Sequence, residues 1–266
     1  MINVGFIGAG NMGSAIMKGI VSSDMSKEIS LFAYDKFEAA LDKARAMGVT
    51  GTAAAADVVK QCKYVFFAIK PQQLDEVLDE VANDVTADTV IVSILAGVTD
   101  EYYARRTVPG AKVVLVMPNT PFLLGEGATA LSRSESVTDE EFGLVQKIFS
   151  SGGISKVIPK DKMKEIIAIN GSSPAFIYLY AKYFVDYAES VGIDGETAKE
   201  LFAKSLIGSA KMLTDSGKTV DELITMVSSK GGTTIAGLEK LREGGLGDAV
   251  EECCKACTKR AYELSK

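Results

Sequence analysis

The chain has 266 residues, of which 47% are hydrophobic and 24% charged, and a formal net charge of −6; this is the profile of one or two packed domains and excludes a disordered chain. The negative balance and the lack of a basic cluster argue against nucleic acid or an anionic membrane as the main partner. No apolar stretch reaches membrane-spanning length and the amino terminus starts a strand at once, so a cytoplasmic protein with no membrane partner is expected.

The first predicted element is a strand over 2–7, run directly against glycines at Gly8, Gly10 and Gly13. A glycine triplet alone is a weak signal, but here it follows a strand and opens an apolar-periodic helix through Ala15, Ile16 and Ile20, the context a dinucleotide fingerprint requires. Gly8 permits the tight turn, Gly10 lets backbone approach a pyrophosphate, and Gly13 lets the helix pack close to the strand. A second strand, 29–34, ends at Asp35, which lies 22 residues past Gly13. An acid there suits the adenosine ribose hydroxyls and favours NAD, whereas the neighbouring Lys36 suits a 2′-phosphate, so both NADPH and NADH stay open.

Further strand-like runs over 64–69, 89–94 and 112–117 alternate with helical segments. Val-, Ile- and Phe-rich runs without polar alternation suit strands buried on both faces, which predicts a parallel, doubly wound, Rossmann-like α/β sheet over 1–160. Ligands gather at the carboxyl ends of such strands. Those ends carry Gly8 to Gly13, Asp35, Ala68-Ile69-Lys70-Pro71, Ala96-Gly97 and Pro118-Asn119-Thr120-Pro121.

From about 161 to 266 the sequence reads as helical: 175–191, 196–213, a short segment near 220–227 and a final stripe through Leu246, Val250, Cys253, Cys257, Ala261 and Leu264. The first of these is apolar or aromatic on more than one face, as an intersubunit helix would be. Cys253 and Cys257 read as core or interface residues. With no histidine in the chain, no metal is expected. Two segments, Asn170-Gly171-Ser172-Ser173-Pro174-Ala175-Phe176 and Ser229-Lys230-Gly231-Gly232-Thr233-Thr234-Ile235-Ala236-Gly237-Leu238, place small and hydroxyl residues just before helices, where both can bind an anion. The amides of Gly231, Gly232 and Thr233 suit a substrate carboxylate and Thr234 a neighbouring atom, although two ordinary capped helices would carry similar residues.

Taken together the motifs resemble the pyrroline-5-carboxylate reductases of proline biosynthesis. The resemblance runs nearly end to end: Gly-Phe-Ile-Gly-Ala-Gly-Asn-Met-Gly at 5–13, Ala-Ile-Lys-Pro-Gln at 68–72, Ser-Ile-Leu-Ala-Gly-Val at 93–98, Met-Pro-Asn-Thr-Pro at 117–121, Gly-Ser-Ser-Pro-Ala-Phe at 171–176, Gly-Ser-Ala-Lys-Met at 208–212 and Gly-Gly-Thr-Thr-Ile at 231–235. It implies reduction of the cyclic imine 1-pyrroline-5-carboxylate to L-proline by hydride from NADPH or NADH. It further implies that Ile7, Gly8, Ala9, Gly10, Asn11 and Met12 hold the pyrophosphate and that Tyr34, Asp35 and Lys36 meet the ribose. Ala68, Ile69, Lys70, Pro71, Ala96 and Gly97 would flank the cofactor, with Asn119 near nicotinamide. Gly231, Gly232 and Thr233 would carry the substrate carboxylate and Thr234 would bond the ring nitrogen. Dimers with interlocked helical domains, assembled into larger homo-oligomers, are implied as well.

A protonated imine already carries the charge that a hydride quenches, so the chemistry needs orientation more than a strong base, consistent with a chain that has no histidine. Lys70 fits a cofactor-side structural role better than that of a base. Leu115, Asn170 and Lys230 depart from the family pattern, at positions usually basic, serine and proline. Alternatives are a hydroxyacid or prephenate-type dehydrogenase, which would need a base, and a non-catalytic nucleotide sensor.

Overall fold

A computed structural model describes residues 1–265. The chain divides into two compact units, one of residues 1–174 joined by the carboxyl-terminal segment from Ala256, the other Ala175–Lys255. The first contains β1 (Ile2–Ile7), α1 (Asn11–Val21), β2 (Ile29–Tyr34), α2 (Glu38–Ala46), β3 (Thr50–Gly51), α3 (Ala55–Gln61), β4 (Tyr64–Phe67), α4 (Leu74–Val81), β5 (Val90–Ser93), α5 (Asp100–Arg106), β6 (Lys112–Met117), β7 (Gly127–Arg133), α6 (Asp139–Ser150) and β8 (Gly153–Val157). The helical segment is built from α7 (Ser173–Ser190), α8 (Gly195–Asp215), α9 (Val220–Met226), α10 (Thr233–Glu243) and α11 (Leu246–Glu263).

The described strands form one sheet in the order β3-β2-β1-β4-β5-β6-β7-β8. Pairing is parallel from β3 to β6, whereas β7 runs antiparallel to β6 and β8 parallel to β7. The doubly wound expectation thus holds for the first six strands. Three strands were not legible in the sequence: the two-residue edge strand β3, and β7 and β8, because Gly-Ala-Thr-Ala-Leu-Ser-Arg and Gly-Ile-Ser-Lys-Val lack a run of β-branched apolar residues. Two apolar clusters cover the faces. Val4, Phe6, Phe66, Val92 and Val114 pack beneath α1 and α6 on one, and Ile7, Val65, Phe67, Ile91 and Leu115 beneath α3, α4 and α5 on the other. Alternate residues of each central strand therefore serve opposite cores, which is why these strands read as unbroken apolar runs.

The sequence places one domain boundary at 160/161, whereas the compact division falls at 174/175 and again at 255/256. The intervening stretch joins the sheet's second core through Met163 and Ile167. In the second unit, Phe184 stacks on Phe202 with ring centroids 4.4 Å apart, and Tyr180 meets Phe184 edge-on at 5.0 Å. Tyr178, Leu179, Tyr183, Tyr187 and Leu201 stay exposed, an apolar surface of the kind that marks an interface. Among the described residues no helix is long and apolar enough to cross a membrane.

One buried carboxylate locks α6 to the sheet. Thr138 caps the helix, its hydroxyl accepting from the Glu141 amide at 3.2 Å while Glu141 accepts from the Thr138 amide at 3.1 Å, a reciprocal capping box. Glu141 also receives Lys112 at 2.8 Å and Lys63 at 3.1 Å. Burial alone would raise its pKa; the Lys112 bond, the Thr138 amide and Lys63 together overcome that and hold it down at about 2. A depressed carboxylate stabilises the fold fully above its ordinary value of 4.5 and loses that contribution as pH falls towards about 2. Glu141→Gln is therefore expected to cost about 2 kcal/mol at neutral pH, with the difference from the parent shrinking in urea titrations between those two pH values.

Candidate functional site

The strand order reverses between β1 and its neighbours β2 and β4, so the carboxyl end of β1 opens onto a topological switch point. Ile7 pairs with Tyr34 on one side and Phe67 on the other, so three strands end level. The Gly8 amide donates to the Tyr34 carbonyl and the Ala68 amide to the Ile7 carbonyl, each at 2.8 Å. Gly8 has φ +106°, and a Cβ there would stand 2.5 Å from the Ala68 carbonyl oxygen; at Gly13 it would collide with the Gly8 carbonyl. These two glycines are fixed by the fold itself.

Gly10 differs from both. It is the residue before α1, with no side-chain cap, and a Cβ there meets nothing within 4 Å. The first amides of α1 therefore face open space with the positive end of the helix dipole behind them, which fits the pyrophosphate of a dinucleotide.

That space is a cavity of about 340 Å³. Of the residues expected to meet a cofactor, Ile7, Gly8, Gly10 and Asn11 line it from the loop, Tyr34, Asp35 and Lys36 from the end of β2, and Ala68, Ile69 and Lys70 from the end of β4. The other six do not line it. Ala9 is buried and its amide donates to Asp35 Oδ2 at 2.7 Å. Met12 packs on the core beneath α1, and Ala96 on the opposite one. Pro71 begins the turn that follows Lys70.

Gly97 lines a separate cavity of about 300 Å³, with Ser93, Leu115, Asp100, Lys160 and Tyr262 on its walls. There Lys160 bridges Asp100 and Glu101, at 2.9 Å to each. Its ammonium bond pulls Glu101 down to about 2, while burial pushes Asp100 up. Leu115 is buried in this apolar face, so no polar anchor stands at that position.

Asn119 is buried and its Oδ1 accepts from the Ala128 amide at 2.9 Å. Asn170, in a π-helical turn over Ile167–Gly171, donates to the Met117 carbonyl at 2.7 Å and the Ala128 carbonyl at 3.0 Å. The two asparagines clamp the end of β6 to the start of β7, and Ser173 donates back to the Asn170 carbonyl at 3.4 Å.

Sequence reasoning missed Phe37, Gln73, Glu76, Val77 and Glu80, which complete the first cavity. The spacing of Glu76 and Glu80 puts them on one face of α4, but where α4 docks is not written in that spacing.

In the second unit, Gly232 is the residue before α10, without a side-chain cap, and Thr233 and Thr234 are exposed in its first turn. The Gly232 amide donates to the Ser229 carbonyl at 2.9 Å, so the donors left for an anion are those of Gly231 and of the opening turn of α10. Lys230 is exposed beside them. Among the described residues no three of His, Cys, Asp or Glu converge into a metal-binding group.

Residues 3–97 match the family described as NADP oxidoreductase coenzyme F420-dependent, and residues 160–264 match the one described as pyrroline-5-carboxylate reductase dimerisation. The chain is 34% identical over 267 residues to the pyrroline-5-carboxylate reductase of Escherichia coli, and 33% identical over 264 residues to that of Methanosarcina acetivorans, each comparison covering 99% of this chain and 98% of the relative. The crystal structure of Plasmodium falciparum pyrroline carboxylate reductase with NADP bound superposes with a TM-score of 0.88 at 27% identity, covering 100% of this chain and 98% of the other. With a glycine loop built for a dinucleotide at one end and a dimerisation segment at the other, this chain belongs to the pyrroline-5-carboxylate reductase family.

Proposed function

We propose that this protein reduces 1-pyrroline-5-carboxylate to L-proline, with NADPH or NADH as the reductant. The observation that carries this reading is the uncapped start of α1 at the sheet's switch point, with Gly10 facing an open cavity, in a chain that matches reductases of this name along almost its whole length. When bound, the reduced nicotinamide supplies the hydride. The chain's own residues hold the two ligands. The loop from Ile7 to Asn11 and the opening of α1 take the pyrophosphate, Tyr34, Asp35 and Lys36 take the ribose, and Ala68 to Lys70 wall the cofactor.

Gly231 and the first amides of α10 hold the substrate carboxylate, and the Thr234 hydroxyl bonds the ring nitrogen, orienting it and relaying its proton. Positioning of this kind is worth many orders of magnitude when the electrophile is already charged. The segment from 161 onward carries the substrate-binding and dimerisation functions, and the exposed aromatic faces of α7 are the surface through which copies pair and build larger homo-oligomers. A cytoplasmic location completes the reading.

Substrate-dependent loss of absorbance at 340 nm on mixing the purified chain, reduced nucleotide and pyrroline-5-carboxylate is the expected result. Nucleotide that binds but is not consumed would instead identify a sensor.

A further inference from the structure

We propose that the second cavity, at the carboxyl ends of β5 and β6, binds a small organic cation with a short apolar tail, its charge meeting Asp100. This cavity shares no residue with the one at the switch point, so the inference stands apart from the nucleotide reading. Its volume of about 300 Å³ suits a small molecule. Leu95, Val98, Leu115 and Met163 give it a buried apolar wall, and Asp100, Glu101, Asp161, Lys160 and Lys164 a charged one.

Asp100 carries the argument. It begins α5, is only 8% exposed, and lines the cavity. Its Oδ2 accepts from Lys160 at 2.9 Å, but its Oδ1 is buried and has no hydrogen-bond partner among the described residues. An orphaned carboxylate oxygen is costly, and a donor that reaches it recovers that cost. Lys160 is already shared, since the same ammonium lies 2.9 Å from Glu101. Burial raises the Asp100 pKa and Glu101 pushes the same way, with the Lys160 bond opposing them; one lysine between two acids leaves this wall short of positive charge. The remaining charged groups are engaged elsewhere. Lys164 lies 4.5 Å from the centre of the Tyr262 ring, and Asp161 pairs with Lys162 at 3.0 Å. A phosphate or carboxylate entering here would meet three acids, so the wall selects against anions. A basic side chain in place of Leu115, as is usual in the family, would enter this cavity and bring its own charge. Leucine leaves both the space and Asp100 to a diffusible cation.

Titration calorimetry on the full chain with n-butylguanidinium tests this, with n-butanol and n-butanesulfonate as neutral and anionic controls of the same tail. The cation is expected to bind saturably with a Kd of about 1 mM or below, and the controls not to bind. Asp100→Asn keeps the shape of the side chain and should weaken the cation about tenfold. Lys160→Met removes the competing ammonium and should tighten it about tenfold. Leu115→Arg places a tethered guanidinium in the cavity and should abolish binding; if that variant fails to fold, the Asp100 and Lys160 variants decide the matter between them. Controls that bind as well as the cation would make the cavity a plain apolar crevice and overturn the proposal. Absence of saturable binding to the parent would do the same, as would an unchanged affinity in Asp100→Asn or a weaker one in Lys160→Met. None of these measurements uses a nucleotide or an imine, so their outcome leaves the reductase reading untouched.

Discussion

Gly10→Val is expected to abolish nucleotide binding while leaving the fold intact. The three fingerprint glycines have separate jobs. Gly8 needs its left-handed φ of +106°, and Gly13 lies against the Gly8 carbonyl, so a side chain at either disrupts the loop before any ligand arrives. Gly10 has φ −68°, which any residue adopts, and a Cβ there meets nothing within 4 Å. A valine would project into the space proposed for the pyrophosphate, where backbone amides must come within hydrogen-bonding distance of phosphate oxygens. The expected loss is about 10²-fold or more in nucleotide affinity, read by calorimetry, with the thermal midpoint within a few degrees of the parent, as is usual for surface substitutions. Gly13→Val is the control and should fold poorly. Retained affinity in Gly10→Val would move the pyrophosphate elsewhere and remove the foundation of the functional reading.

Thr234→Ala should have the opposite signature, with nucleotide binding preserved and reduction of the imine lost. Thr234 is exposed in the first turn of α10, and alanine favours a helix, so the substitution leaves local structure sound. It deletes one hydroxyl, the group assigned to the ring nitrogen. Removal of a positioned proton relay typically costs about 10²- to 10⁴-fold in turnover, and the loss should appear mainly in kcat, since the carboxylate keeps its backbone donors. Thr234→Ser restores the hydroxyl and should recover most of the rate. A kcat near the parent value in the alanine variant would show that the ring nitrogen has another partner.

Asn170 illustrates what a motif leaves out. In the sequence it is a departure from the family's usual serine beside Gly-Ser-Ser-Pro; in the fold it donates to carbonyls at Met117 and Ala128, 53 and 42 residues earlier in the chain. The same region hides β7, whose small and polar residues give no strand signal until β6 supplies a pairing partner. Asn119 carries a similar lesson, since its Oδ1 is taken by the Ala128 amide.

The amino-acid sequence by itself determined the strand, glycine loop and helix at the amino terminus, the parallel core, the helical second half and the family to which they belong. These features are local: periodicity, glycine placement and buried-strand composition act within a few residues of one another. Tertiary structure alone decided that Asp35 is gripped by Ala9 and Phe37, that α4 contributes Glu76 and Glu80 to the switch-point cavity, that Gly97 lines a different one, and that Gly232 spends its amide on Ser229. Each of these depends on where a particular carbonyl, amide or helix face comes to rest after packing, and backbone donors and acceptors are identical in every residue but proline. The sequence names the side chains, and only the folded chain assigns their partners.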